Sequence, residues 1–436
     1  MYHPLRKTNT FTVSDIADFK NKVLHWAQSF DEIVWLDSNG HEDRYGAFDA
    51  LLAVDGLTSL VTDVQNAFSD LKEYQEGIHD WIFGYLSYDL KNDIELLSSK
   101  NFDGLHFPEL YFFQPKKIIR ITGNTIDFIY LNMVGDEIDA DFGTISRRKL
   151  PKKGGIQAAN DIRIKLRTFK DDYFKRVAEL LAHIHRGDIY EANFCQEFYA
   201  ENTIIDSLRT YRKLNAISKA PFATFLKFQD KFLLSASPER YLKKKGNRIV
   251  SQPIKGTAKR ATDPKMDAGL RSALKKDAKE RAENIMIVDL VRNDLSKSAI
   301  KGSVRIEELC EVYSFEQVHQ MISTVTAEVA ENKNPVDIIR ETFPMGSMTG
   351  APKISAMRII EVLEAFKRGL YSGAVGYFTP KGDFDFNVVI RSILYNASEK
   401  YVSYAVGGAI TAKSVPEREY EECLLKAKAM REVLEG

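Results

Sequence analysis

The sequence predicts a large mixed α/β fold in which much of the strand pairing is antiparallel. Two observations carry that expectation. Short apolar or alternating runs recur along the whole chain, and helical periodicities fall between them without the regular alternation of a doubly wound parallel sheet. In chain order, helical spacing covers residues 13–28, and strand-like runs follow at 32–36, 47–54, 81–85 and 117–130. Residues 147–160 are rich in Lys, Gly and polar side chains and read as an exposed connection. That connection separates an N-terminal region, 1–146, from a larger C-terminal region, 161–436. The second region opens with a helix at 170–185, where Phe174, Val177, Leu180, Leu181 and Ile184 share a face and Gly187 supplies the cap. Strands are expected at 188–199, 224–228, 231–236, 248–252, 373–378, 386–395 and 401–406. Helices are expected at 276–295, 336–341, 352–366 and 416–434.

With 436 residues and 44% hydrophobic content, the chain can bury one large core or two joined ones. Lys plus Arg and Asp plus Glu number 61 each, so no net field would draw it to nucleic acid or an anionic membrane. The basic runs 147–153 and 243–245 are short and lack interleaved aromatics, and read as a solvated linker and a solvated turn. No stretch is long and apolar enough to span a bilayer, and residues 1–12 lack a secretory pattern, so a cytoplasmic protein is expected. Cys195, Cys310 and Cys423 are far apart and lack metal-ligand spacing, which argues against a disulfide framework or a zinc site.

Four segments could carry chemistry. Gly346-Ser347-Met348-Thr349-Gly350-Ala351-Pro352-Lys353 precedes a helical pattern, and backbone N–H groups there can bind an anion or simply start a helix. It lacks the Gly-Lys-Ser/Thr of a phosphate loop, so a carboxylate is as suitable as a phosphate. In Gln252-Pro253-Ile254-Lys255-Gly256-Thr257, Lys255 is either solvated surface or an amine that Ile254, Lys259 and Arg260 would keep neutral and nucleophilic. Glu239, in Ser237-Pro238-Glu239-Arg240, is either a surface ion-pair partner or a partly desolvated general acid. Glu280, Glu283 and Asp289 share one predicted helix, and Glu417, Glu419, Glu421 and Glu422 crowd the start of another. Such residues usually serve the helix dipole, yet Mg²⁺ needs only one or two carboxylates besides water and substrate.

Taken together these segments resemble the chorismate-utilising enzymes, which include the anthranilate synthase large subunit, aminodeoxychorismate synthase component I, and isochorismate and salicylate synthases. The resemblance rests on 187–198 (GDIYEANFCQEF), 237–240, 253–257 (PIKGT), 281–294 (RAENIMIVDLVRND), 343–357 (FPMGSMTGAPKISAM), 372–378 (SGAVGYF) and 390–392. Weaker matches at Leu36-Asp37-Ser38, 44–49 and 84–89 extend it to the N-terminal region. It implies two packed, largely antiparallel β-sheets flanked by helices, with strands from both regions and a cleft in the C-terminal one. It further implies that Glu283 and Glu422 hold Mg²⁺ against the C1 carboxylate of chorismate, with Glu419 as a further, water-bridged ligand. Arg391 and Tyr377 would grip the enolpyruvyl carboxylate. Backbone N–H groups around Gly346, Ser347 and Thr349, with Gly407 and Gly408, would complete the anion sites, and Glu239 would protonate the leaving 4-hydroxyl.

Two positions separate family members. Water-using members carry a lysine where this chain has Glu191, so their chemistry is disfavoured; aminating relatives usually have glutamine there. Anthranilate synthases have PIAGT where this chain has PIKGT, whereas aminodeoxychorismate synthases of this type have the lysine. An amine at Lys255 attacking C2 would expel the 4-hydroxyl and leave C4 for ammonia. A family histidine is replaced by Gln320, with His319 one position away. None of the three cysteines sits in a Gly-x-Cys-x-Gly elbow, so a separate glutamine amidotransferase subunit is implied as the ammonia source. The competing expectations are the anthranilate synthase large subunit and a non-catalytic ligand-sensing or scaffold protein.

Overall fold

The computed structural model describes residues 5–41, 43–150, 162–316 and 318–436. From residue 151 on, the expected connection lies outside the described residues. All ladders between named strands are antiparallel. The network of 20 strands bends into two layers. The bend lies on the long pair Ala50–Thr62 and Leu110–Thr122, whose register slips between Gly56 and Thr58; a bulge of this kind re-aims a strand.

One layer runs through Arg6–Thr12, Thr125–Leu131, the long pair, Glu32–Asp37, Phe222–Phe228, Lys231–Ser237, Ser392–Asn396, Tyr401–Thr411 and Glu191–Ala200. The other leaves Leu110–Thr122 for Ile82–Leu86, Ala374–Phe378, Phe384–Val388, Arg240–Lys245, Arg248–Gln252 and Val318–Glu328, which Ile254–Lys259 and Arg305–Ser314 flank. Strands from both regions of the chain pair in both layers.

The two-residue period of the strands builds two cores. Val34 points between the layers toward Phe83, Tyr111 and Phe386. Its neighbours Ile33 and Trp35 point out, beneath helices Ile16–Ala27, Lys170–Arg186, Ser207–Ser218 and Pro416–Glu435. Helices Ala278–Ser298 and Pro335–Thr342 cover the second layer with Ile287, Val291, Val336 and Ile339. No helix among the described residues is long and apolar enough to cross a membrane.

Several expectations need correction. Residues 117–130 are not one strand but part of a hairpin, turned at Gly123 where φ is +56°. The helix expected at 276–295 is found at Ala278–Ser298, starting where Asp277 leaves helical geometry and its carboxylate accepts the N–H groups of Lys279 and Glu280; the helix before it, Pro264–Lys276, was not foreseen. Arg391, at φ +53°, breaks 386–395 into two strands. Lys243 and Lys244 are not in a solvated turn. They are buried in a strand, Lys243 against Asp385 at 2.7 Å and Lys244 against the Gly382 carbonyl at 3.2 Å. Helices Ala67–Ile78, Ile138–Arg147 and Ser207–Ser218 and strands Arg305–Ser314 and Val318–Glu328 were not foreseen.

Candidate active site

A cavity of about 480 Å³ opens in the C-terminal region where the two layers diverge. Strand Ile254–Lys259 brings Lys255 to one wall, where Gly256 takes φ +90° and a side chain there would press on Glu280 at 3.1 Å. Glu239 enters from the bend between Lys231–Ser237 and Arg240–Lys245. Helix Ala278–Ser298 supplies Lys279, Glu280 and Glu283, and helix Pro416–Glu435 supplies Glu419, Glu422 and Lys426. The backbone of Gly407 closes another side. A methyl there would stand 2.5 Å from the Cys195 sulfur, so only glycine fits.

The charges in this cavity are only partly compensated. Burial pushes Glu239 up to about 7 despite the Ser347 hydroxyl, which donates to its Oε1 at 2.7 Å, and despite Lys255. Burial likewise raises Glu191 to about 7 against the attraction of Lys255, with Glu283 adding repulsion. Oxygens of Glu191 (Oε2) and Glu283 (Oε1) are buried without a hydrogen-bond partner. Lys279 stands 3.7 Å from Glu283 and 3.9 Å from Glu419. Burial would raise Glu422 too, but Lys426, 2.7 Å away, outweighs it and holds that carboxyl below its ordinary value. The Arg391 side chain has no hydrogen-bond or ion-pair partner among the described residues, and burial holds it below the usual guanidinium range.

Of the residues singled out in the sequence, Lys255, Glu239, Ser347, Arg391, Gly407, Glu283, Glu419 and Glu422 line this cavity. Glu191 is buried and does not line it, though it is near enough for Lys255 and Glu283 to act on its charge. Gly408 backs the acidic cluster: a methyl there would be 3.5 Å from Glu419 and 3.8 Å from Glu422. Gly346 lines a small void of about 20 Å³ behind Glu239.

Two residues are placed elsewhere. The N–H of Thr349 donates to the Gly346 carbonyl at 3.1 Å and its hydroxyl to the Met345 and Gly346 carbonyls, so it closes the turn and has no N–H left for an anion. Tyr377 faces a second cavity of about 360 Å³, which Leu36, Asp37, Ser38 and Arg240 also line, and packs against Trp81 and Phe83. Tyr371, six residues earlier, lines the main cavity beside Arg391 instead. Of the two cations expected to act on Lys255, Lys259 lines the same cavity and Arg260 is arranged otherwise. Arg260 is held by Asp267 at 2.8 Å, and the charges felt around Lys255 are Glu191, Glu239, Glu283 and Glu422.

Sequence reasoning missed Tyr371, Lys279 and Lys426. The two lysines were detectable, since each stands four residues from a predicted metal ligand on the same helix face. Alternation on strand Val318–Glu328 explains the displaced histidine: Gln320 lines the cavity, while His319 points away to Ser314 and Asp267 at 2.9 and 3.0 Å.

No three His, Cys, Asp or Glu side chains among the described residues are close enough to enclose a metal ion. The Glu283 oxygen that lacks a hydrogen bond and has only Lys279 at 3.7 Å, with Glu419 and Glu422 across from it, nonetheless fits an ion that takes few protein ligands and completes its shell with water and substrate oxygens, as Mg²⁺ does.

Comparison with known proteins agrees with this architecture. The anthranilate synthase component I structure from Streptococcus pneumoniae superposes with a TM-score of 0.76 at 25% identity, covering 90% of this chain and 94% of that one. A protein of Oryza sativa named probable aminodeoxychorismate synthase, chloroplastic, is 34% identical over 433 residues, 90% of this chain and 48% of its own length. The aminodeoxychorismate synthase of Streptomyces griseus is 44% identical over 274 residues, 62% of this chain and 37% of its own. The chain thus spans half or less of these two relatives. Anthranilate synthase component 1 of Thermus thermophilus is 34% identical over 81% of this chain and 77% of its own length. The pattern described as chorismate binding enzyme matches residues 31–432, and the chain belongs to that family.

Proposed function

We propose that the cavity aminates chorismate at C4, giving 4-amino-4-deoxychorismate for 4-aminobenzoate and folate synthesis. The observation that carries this reading is that Lys255, a primary amine, faces the same space as Glu239, a buried carboxyl raised to about 7 and therefore still partly protonated at neutral pH. The guanidinium of Arg391, free of protein partners among the described residues, and Tyr371 suit the enolpyruvyl carboxylate. Glu283 and Glu422, with Glu419 through water, would hold Mg²⁺, whose charge would orient and neutralise the C1 carboxylate. Lys255 then attacks C2, the two ring double bonds shift toward C4, the C4–O bond breaks as Glu239 gives its proton to the hydroxyl, which leaves as water, and the Glu239 carboxylate takes up the proton that the lysine nitrogen sheds on becoming a secondary amine. Ammonia bonds to C4, the double bonds shift back, and the C2–N bond to Lys255 breaks with a proton passing from the new amine to the departing one. The enolpyruvyl ether is untouched.

A glutamine amidotransferase partner would supply the ammonia. All three cysteines are buried and outside an amidotransferase elbow. The Salmonella typhimurium and Escherichia coli relatives, 39% and 38% identical, are named component 1. A second reading, anthranilate synthesis, is favoured by the length of the Thermus match. Incubating the chain with chorismate, Mg²⁺ and an ammonium salt separates them. Aminodeoxychorismate without pyruvate, and no reaction when glutamine replaces ammonium, is expected. Stoichiometric pyruvate would move the assignment to anthranilate, and untouched chorismate would leave a non-catalytic protein.

A further inference from the structure

Behind the cavity lies a buried ion pair that the proposed chemistry does not use. The Arg368 Nε and Nη2 donate to Glu364 at 2.8 and 2.6 Å, and both side chains are buried. The remaining N–H groups reach the Asn193 carbonyl at 2.7 Å, the Met348 carbonyl at 2.7 Å and the Ser372 hydroxyl at 3.5 Å. All five guanidinium donors are therefore engaged. Glu364 in turn accepts the N–H of Cys195 at 2.8 Å, and the Arg368 guanidinium lies over the Tyr88 ring at 4.5 Å.

These partners are walls of the cavity. Asn193 is on the strand that carries Glu191, and Met348 follows Ser347 in the turn whose hydroxyl holds Glu239. A buried ion pair is seldom the most stable filling of an interior, and an apolar pair of the same volume often does as well. What apolar groups cannot do is fix two backbone carbonyls from separate elements at set distances from one planar group.

We infer that Arg368 and Glu364 are positioning residues that hold the Gly346–Met348 turn against strand Glu191–Ala200, and so set where Ser347 presents Glu239 to the substrate. The inference rests on the cavity being the site of chorismate turnover. Lysine at 368 keeps the charge but offers a single point of attachment, so it cannot span both carbonyls and Glu364.

The test follows chorismate consumption, whatever product forms, in Arg368→Lys, Ser347→Ala and the double variant, with unfolding curves to verify folding. Arg368→Lys should lower kcat by roughly a hundredfold, the scale of a misplacement of about 1 Å, while KM for chorismate stays within about threefold. The double variant should fall little below the worse single one, because both changes act through the same turn. A folded Arg368→Lys with kcat within about twofold of wild type, a loss confined to KM, or effects that multiply in the double variant would overturn the inference. If Arg368→Lys does not fold, Glu364→Gln takes its place in the cycle; if neither folds, the pair is a fold element and the inference fails. Wild-type protein that leaves chorismate untouched would overturn the proposed activity first, and the positioning role with it.

Discussion

Glu239 and Arg240 are adjacent in sequence and serve two different cavities. In the second cavity the charges are spent on one another. Arg240 is gripped by Asp385 at 3.0 Å and the Gln252 side chain at 2.6 Å, with Asp43 at 2.5 Å, and Asp37 is paired with Lys20 at 2.8 Å. In and beside the main cavity they are left short: one oxygen each of Glu283 and of the nearby buried Glu191 lacks a hydrogen-bond partner, the Arg391 side chain has no hydrogen-bond or ion-pair partner among the described residues, and Glu239 is held by one hydroxyl. Buried polar groups are normally satisfied. A cavity that leaves charges uncompensated is one whose missing partners come with a ligand; in the second cavity the charges are paired, and what is left without a hydrogen-bond partner there is neutral, the Ser38 Oγ and the Asn387 Oδ1.

The largest expected effect tests the main cavity at its centre. Lys255→Ala should lower amination by about a thousandfold or more, leaving chorismate binding largely intact because the anion-binding groups lie on other elements. Acid or reductive trapping with mass spectrometry should find any substrate adduct on Lys255, and an adduct on another lysine would contradict the assignment. Next, Glu239→Gln should cost about 10²–10⁴ in kcat through loss of the proton donor. With free ammonia held constant, wild-type kcat should fall as pH rises through about 7, where Glu239 ionises. Ser347→Ala removes a bond that favours the ionised form, so that limb should move to higher pH.

Smaller differences sharpen the contrast between the cavities. Tyr371→Phe should raise KM for chorismate about three- to tenfold, the worth of one hydrogen bond, while Tyr377→Phe should leave kcat and KM within about twofold. The reverse result would return the substrate contact to Tyr377. The least effect concerns stability. Glu191 has a folded-state value of about 7 against an ordinary 4.5, so the folded protein binds more protons than the unfolded one between them, and stability from this group is lost as pH rises through that window. Glu191→Gln should flatten the decline and raise Tm above pH 7 by about 2 °C or more, as unfolding curves at pH 5 and 8 would show.

Much of this was legible in the chain. The irregular mixture of strands and helices implied antiparallel pairing, and the segments around Lys255, Glu239, Glu283 and Arg391 carried the resemblance to chorismate-utilising enzymes that joined them, with Glu422, into one expected site. Local chemistry determined these features: strand and helix periods, turn residues and motif composition do not depend on distant partners. The sequence could not say on which side of a strand a given aromatic would point once that strand joined a second layer. Tyr377 was misplaced for that reason, and Tyr371, in the turn before that strand, was overlooked. Nor could it distinguish Lys243 and Lys244, buried against Asp385 and Gly382, from a solvated turn. Which charges were cancelled and which left open was decided only when Asp43, Asp385 and Gln252 converged on Arg240 while nothing among the described residues converged on Arg391, because electrostatic compensation depends on distance in space and not along the chain.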